Sequence, residues 1–439
     1  MRLQSLTIIG VILVGINAHG ALANRGPAWK CHVIDSGLDG GDGARLFDAD
    51  RDGDLDLAVG WEESGLTRLY LNPGIAAASS NWPFVDVGPA PSVEDAMMAD
   101  IDGDGRTDVV SSTEGTYRRM VVHFAPSSGQ YTDSANWTTS EFPTAVAGNR
   151  QWMFSVPMDV NEDGALDIVA AGKGDDGKIG WFQAPATNRR DLSSWQFHEM
   201  GGAGWAMSVI PEDMDGDGDD DIVVTDRMTN AGLRGARWLE NPVPDGDPTG
   251  LWSNHAIGAT GEQVMFMDLA DIDGDDDRDA VVPVSSPDSL TWYERLSAAG
   301  DAWLARQIAF PSNVGTSKAV AVADMNGDLI FDLVLSFASA DDPKSGVIWL
   351  EGTSDSNWIE HEISGPEGIK FDLISLADLD GDGDLDVITT EENAGDQSLG
   401  LGVIWYENPT AVPEPATLLL LAVGVFCFLL WKRQSRDNA

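Results

Sequence analysis

The stretch Asp48-Ala49-Asp50-Arg51-Asp52-Gly53-Asp54-Leu55-Asp56 places carboxylates at positions 1, 3, 5 and 9 of a nine-residue loop, with glycine at position 6. The same spacing returns at Asp100, Asp102, Asp104 and Asp108, then at Asp159, Asn161, Asp163 and Asp167, then at Asp213, Asp215, Asp217 and Asp221. Three more copies follow: Asp271, Asp273, Asp275 and Asp279; Asp324, Asn326, Asp328 and Asp332; Asp378, Asp380, Asp382 and Asp386. The copies start a little over fifty residues apart. A fixed period of this size is the mark of a repeat architecture.

Calcium takes six to eight hard oxygen ligands, and a tight loop supplies them from side chains at 1, 3, 5 and 9 and a backbone carbonyl at 7. Glycine at position 6 allows the sharp turn, because it reaches positive φ without steric cost. An EF-hand would need Glu at position 12, where Val59 and Thr389 stand. Polar turns between strands are the plainer alternative. Empty loops of this kind carry a penalty, since carboxylates about 4 Å apart repel by about 4 kcal/mol at an effective dielectric near 20. Five to seven calcium sites are expected. In the sixth copy Leu329 stands at position 6 and argues against the turn there, because a branched side chain resists positive φ; Asp276 makes the fifth copy intermediate.

Each loop lies between two short apolar runs that read as strands, such as Met98-Ala99 before and Val109-Val110 after the second copy. A third strand is centred on Tyr70, Trp181, Trp238, Trp292, Trp349 or Trp405, and a fourth carries Trp-x-x-His, as in Trp195/His198, Trp252/His255 and Trp358/His361. Weaker versions of the fourth start at Trp82, Trp137 and Trp303. Four strands per repeat make a propeller blade. An unpartnered fourth-type strand around Trp29 to Ile34 precedes the first loop, while the seventh repeat stops after its third strand at Asn408. The expected fold is therefore all-β, a seven-bladed propeller of four-stranded blades over residues 24–410 whose N-terminal strand completes the last blade and removes exposed edges.

The loops, the tryptophan pattern and the blade count resemble the FG-GAP/VCBS family of repeat propellers, related in architecture to the integrin α head. The likeness runs from Trp29 to Pro409 and implies calcium at the positions quoted above. The Phe-Gly and Gly-Ala-Pro elements of that family survive only as Ala125-Pro126 and Ala184-Pro185.

The ends of the chain read as addresses. Residues 1–23 combine Arg2, an apolar stretch from Leu6 to Ile16 and the small-residue site Ala21-Leu22-Ala23, the layout of a secretory signal peptide. Residues 411–439 hold Val412-Pro413-Glu414-Pro415, an apolar run over 416–431 that reads as a transmembrane helix, and the basic Lys432, Arg433 and Arg436. This tail resembles the PEP-CTERM sorting signal, which implies processing by an exosortase; an ordinary C-terminal anchor is the alternative. Either way the protein is exported to the cell envelope, surface or extracellular space.

Composition agrees with export and excludes nucleic acid as a partner. The chain of 439 residues carries 72 acidic and 26 basic residues, a formal net charge of -46, with 43% hydrophobic residues for a packed core. The only cysteines, Cys31 and Cys427, are badly placed to pair, so something other than a disulfide must stabilise the fold.

No nucleophile motif stands out, and the histidines recur by repeat position, so they read as structural and no catalytic residue is assigned. Trp61, Trp152 and Trp205 fall where a propeller places the loops opposite the acidic ones, as do Arg118, Arg119, Arg150, Lys173, Lys178, Arg227, Arg234, Lys318, Lys344 and Lys370. Loops on a rigid scaffold commonly carry binding. The expected role is a surface or matrix binding module whose ligand-binding candidates are Trp61, Trp152, Trp205, Arg118 and Arg150. Its partner would be a carbohydrate, an exopolysaccharide or a surface protein. Burial of the tryptophans in the core is the competing reading, and a carbohydrate-active lyase or hydrolase working in the funnel is the alternative function.

Overall fold

The computed structural model describes residues 25–127, 131–228, 233–244, 246–354, 357–392 and 400–410. The expected signal peptide at 1–23 and the expected transmembrane helix at 416–431 lie outside the described residues, among which no helix is long and apolar enough to cross a membrane.

Seven four-stranded antiparallel sheets form the seven blades of a propeller. In the first six, strand order follows chain order, as in blade I: Gly41–Phe47 innermost, then Asp56–Trp61, Leu66–Tyr70 and Phe84–Pro89 at the rim. Second strands such as Asp56–Trp61 and Asp108–Thr113 are buried along their whole length, because both of their faces meet a neighbouring blade. Outer strands such as Ser253–Gly258 are largely exposed and carry more polar residues.

Blade VII takes its rim strand from the other end of the chain. Lys30–Asp35 pairs antiparallel with Gly402–Glu407, with His32 opposite Trp405, and so completes the sheet begun by Phe371–Ala377 and Asp386–Glu391. The segment before it is anchored on blade VI. Trp29 N–H donates to the Ile363 carbonyl at 2.9 Å, and the buried Arg25 donates to Glu360 Oε2 at 2.9 Å and to Ser345 Oγ at 3.1 Å. Trp29 also packs edge-on against Trp349, 6.2 Å between ring centres.

The histidines are structural. His32, His255 and His361 stack on the third-strand Trp405, Trp238 and Trp349 at 4.1–4.3 Å, and His198 tilts over Trp181 at 4.9 Å. Their Nε2 atoms reach Glu407, Glu240, Glu351 and Gln183 on the same third strands. In blade II, His123 replaces the third-strand tryptophan and lies buried between Ser111 and Thr139.

Removing residues 25–35 should therefore open one edge of blade VII. The expected result is a lower melting temperature by calorimetry together with self-association on size-exclusion chromatography; an unchanged monomer would show that closure is dispensable.

Candidate functional site

Every acidic loop leaves the end of an inner strand and feeds directly into the second strand, so all seven lie on one face of the disc. The aspartate at position 9 builds the loop. It is buried, and one oxygen accepts the position-2 amide of its own loop while the other accepts an amide at or just beyond the end of the third strand of the same blade. The pairs are Ala49 and Asn72 on Asp56, Ile101 and Ala125 on Asp108, Val160 and Ala184 on Asp167, and Met214 and Asn241 on Asp221. Asp279, Asp332 and Asp386 repeat the arrangement, and across the seven loops these bonds measure 2.7–3.2 Å. Sequence spacing marks this residue as a ligand; its second role as a clamp between strands shows only in three dimensions. Burial pushes its carboxyl up, to about 6 for Asp279 and Asp332, about 7 for Asp56, Asp167, Asp221 and Asp386, and about 8 for Asp108.

In loops two to seven position 1 accepts the position-6 amide, as Asp100 does from Gly105 at 2.9 Å and Asp159 from Gly164 at 2.8 Å. The turn requires positive φ at position 6, and Leu329 corrects the expectation drawn from its side chain. It adopts φ 68°, its amide donates to Asp324 Oδ2 at 2.8 Å, and its side chain extends into solvent at 92% exposure. The left-handed backbone costs about 1–2 kcal/mol for an L-residue, and the loop's hydrogen bonds hold it there. Asp276 does the same at φ 71°.

These loops gather oxygens that could hold a metal. One carboxylate oxygen from each of Asp48, Asp50 and Asp56 lies within 4.8 Å of the others, and so do those of Asp100, Asp102 and Asp108 and of Asp213, Asp215 and Asp221. Asp48 Oδ1 and Asp100 Oδ1 are buried without a hydrogen-bond partner among the described residues. Position 7, read from sequence as a backbone ligand only, adds side chains in three loops. Both oxygens of Asp219 and one each of Asp277 and Asp384 are buried and unpartnered in the same sense. Loop two differs, because Arg190 pairs with Asp102 and lies 3.2 Å from Asp104 Oδ2, supplying a positive charge of its own.

The opposite face sorts the other candidates. Trp61 and Trp152 are 0% exposed, so neither ring offers a face to a ligand. Trp61 Nε1 donates to Tyr70 Oη at 3.1 Å, and Trp152 packs edge-on to Phe182 and Phe197. Both are core, because the ends of the strands that carry them turn inward between blades. Trp205 is half-buried, with Lys173 Nζ 4.2 Å and the Arg227 guanidinium 4.5 Å from its ring centre. Asp226 fixes this loop by accepting the amides of Gly204, Trp205 and Met228. Lys173, Arg118 and Arg150 line one cleft of about 380 Å³ between blades II and III, with Asn149, Gln151, Asp175 and Asp176. Within it Arg150 lies 3.7 Å from Asp176, while outside it Arg119 and Lys178 pair with Glu141 and Glu199, and Lys344 and Arg234 donate to backbone carbonyls. A larger cleft of about 510 Å³ opens between blades V and VI beside Asp273, lined by Trp292, Trp358 and Arg306.

The sequence reading missed the charge around the axis. Six residues before each loop stand, blade by blade, Asp42, Glu94, Met153, Met207, Met265, Lys318 and Asp372; six after position 9 stand Glu62, Glu114, Lys173, Arg227, Ser285, Ala338 and Glu392. These are two repeat positions whose type changes around the ring. The acids gather on blades VII, I and II, and they include two groups whose oxygens lie within 4.8 Å of one another: Asp42, Asp372 and Glu392, and Glu62, Glu94 and Glu114. Lys318 lies 3.2 Å from Asp372, and Lys173 pairs with Glu114 and lies 3.7 Å from Glu94.

Comparison with known proteins agrees with fold and repeats. A model of the FG-GAP-like repeat matches residues 48–111 and 159–224, and one of the PEP-CTERM protein-sorting motif matches 411–434. No curated protein matches. Among solved structures, one described as BBS1N in complex with ARL6DN aligns at 10% identity and a TM-score of 0.51, covering 88% of this chain and 98% of that one. An Agrocybe aegerita lectin described as recognising non-reducing terminal N-acetylglucosamine aligns at 14% identity and a TM-score of 0.45, covering 77% and 90%. The chain is thus a seven-bladed propeller in which two stretches match the FG-GAP-like repeat. More particularly, it is an exported propeller whose PEP-CTERM motif directs it to the envelope and implies exosortase processing.

The position-9 clamp is testable in chelator, where metal plays no part. Asp221→Ala leaves the buried amides of Met214 and Asn241 without acceptors and should cost about 2–4 kcal/mol in urea unfolding, whereas a change under 0.5 kcal/mol would refute the clamp.

Proposed function

We propose that this protein is a calcium-rigidified binding module displayed at the cell surface or in the extracellular matrix. Five to seven of its loops would hold calcium through positions 1, 3, 5 and 9, supplemented by Asp219, Asp277 and Asp384. The supporting observation is the set of buried, unpartnered carboxylate oxygens that face like-charged neighbours inside the loops. A hard, flexible, oxygen-preferring cation suits such a donor set, which contains no nitrogen or sulfur. The signal peptide at 1–23 and the C-terminal helix at 416–431 would deliver the propeller and hold it to the membrane until processing.

Recognition would use the face opposite the loops. Arg118, Arg150 and Lys173 share one cleft there, and Lys173 and Arg227 meet at Trp205. A local concentration of cations on a chain of net charge -46 would draw an anionic partner to this point. The chemistry fits an acidic exopolysaccharide whose carboxylates meet guanidinium groups in bidentate fashion.

Calcium binding should show in melting experiments. At a calcium concentration 100 times its Kd, one site contributes about 2.7 kcal/mol, so chelator should lower the melting temperature by roughly 10 °C or more. The pH dependence should reverse with metal. In chelator the position-9 carboxyls bind protons more tightly when folded than when unfolded, so their contribution is full below about pH 4 and is lost as pH rises through about 7. With calcium, proton competition weakens as pH rises, and stability should increase over the same range. Equal melting curves with and without calcium would sink this reading.

For the ligand, Arg118→Ala, Arg150→Ala and Arg227→Ala combined should weaken binding to alginate, used as an acidic polysaccharide probe, at least tenfold. The wild-type affinity should fall steeply with salt; binding unchanged in the triple variant would exclude this face.

A further inference from the structure

Asp42 belongs to the inner strand of blade I, Asp372 to the inner strand of blade VII, and Glu392 follows the second strand of blade VII. All three are more than nine-tenths buried, with exposures of 7%, 5% and 7%. One oxygen from each lies within 4.8 Å of the other two. Two of the three already meet a lysine: Lys318 Nζ lies 3.2 Å from Asp372 Oδ2, and Lys370 Nζ donates to Glu392 Oε2. Glu392 Oε1, by contrast, is shut off from solvent and has no hydrogen-bond partner among the described residues. A buried carboxylate oxygen is not left so unless something unseen completes it.

Charge leads the same way. Asp42, Glu62, Glu94, Glu114, Asp372 and Glu392 are six carboxyl groups around the axis, against the three cations Lys173, Lys318 and Lys370, so three carboxyls have no cation of their own among these groups. Burying unpaired charge is costly, and carboxylates in contact repel unless a proton or a cation lies between them. The converging donors are all carboxylate oxygens, which select a hard divalent ion of the calcium or magnesium type.

We propose that Asp42, Asp372 and Glu392 hold one divalent cation near the propeller axis, on the face opposite the seven acidic loops and independent of them. Its ligands come from blades VII and I. These are the blades that meet where the ring is closed by the N-terminal strand, so the ion clamps the closing joint as well as neutralising the axis.

Asp42→Asn keeps the size of the side chain but replaces one carboxylate oxygen with an amide nitrogen that cannot bind the ion; Glu392→Gln is the second variant. Native mass spectrometry of the full chain titrated with calcium and with magnesium should show one divalent ion fewer in each variant than in the wild type. Crystals soaked in manganese should give an anomalous peak between the three carboxylates. Identical ion counts in the wild type and both variants, or anomalous peaks confined to the loops, would overturn the proposal. A loop variant, Asp213→Ala with Asp217→Ala, removes a different ion, so loop binding and axial binding can fail separately.

Discussion

One carboxylate per blade holds this propeller's architecture together. The position-9 aspartate accepts an amide from the loop that ends the inner strand and another from the chain leaving the third strand, so a single side chain fixes three strands of a blade in register. A neutral acceptor would satisfy one of those donors; two oxygens on one planar group satisfy both. Because the same residue opens the second strand, the acidic loop and the sheet are one structural unit. Any ion held there would tighten a framework that hydrogen bonds have already shaped.

The disc divides its labour between two faces. On one, seven nearly equivalent loops repeat the same geometry, and even Leu329 and Asp276 are drawn into the left-handed turn that the other five loops reach with glycine. On the other, the repeat is kept in backbone but not in side-chain chemistry. The two positions that ring the axis change from carboxylate on blades VII, I and II to methionine on III, IV and V, with cations on III, IV and VI. Function that depends on asymmetry can reside only where the repeat is broken. Arg118, Arg150, Lys173, Trp205 and Arg227 cluster on that broken side.

Much of this was legible before any coordinates. The fifty-residue period, the four strands and the missing rim strand of the last repeat lead to seven blades and to closure by Lys30–Asp35, because these features depend on residue order alone. The histidines were legible too, since a residue recurring at one repeat position opposite a tryptophan stacks on it. The tryptophans outside the repeat were not. Trp61 and Trp152 stand at strand ends where sequence permits either a platform or a plug, and packing between adjacent blades made them plugs.

The sequence by itself determined the acidic loops, their number and the face they share, because local spacing of oxygens and the connection of one strand to the next need no distant partner. Only the tertiary structure decided which charges meet. Asp42 and Asp372 stand 330 residues apart in the chain and come together because the ring closes, while Arg190 reaches back from blade III to the loop of blade II. Such contacts arise from curvature that brings ends and neighbouring blades together, and no period along the chain encodes them.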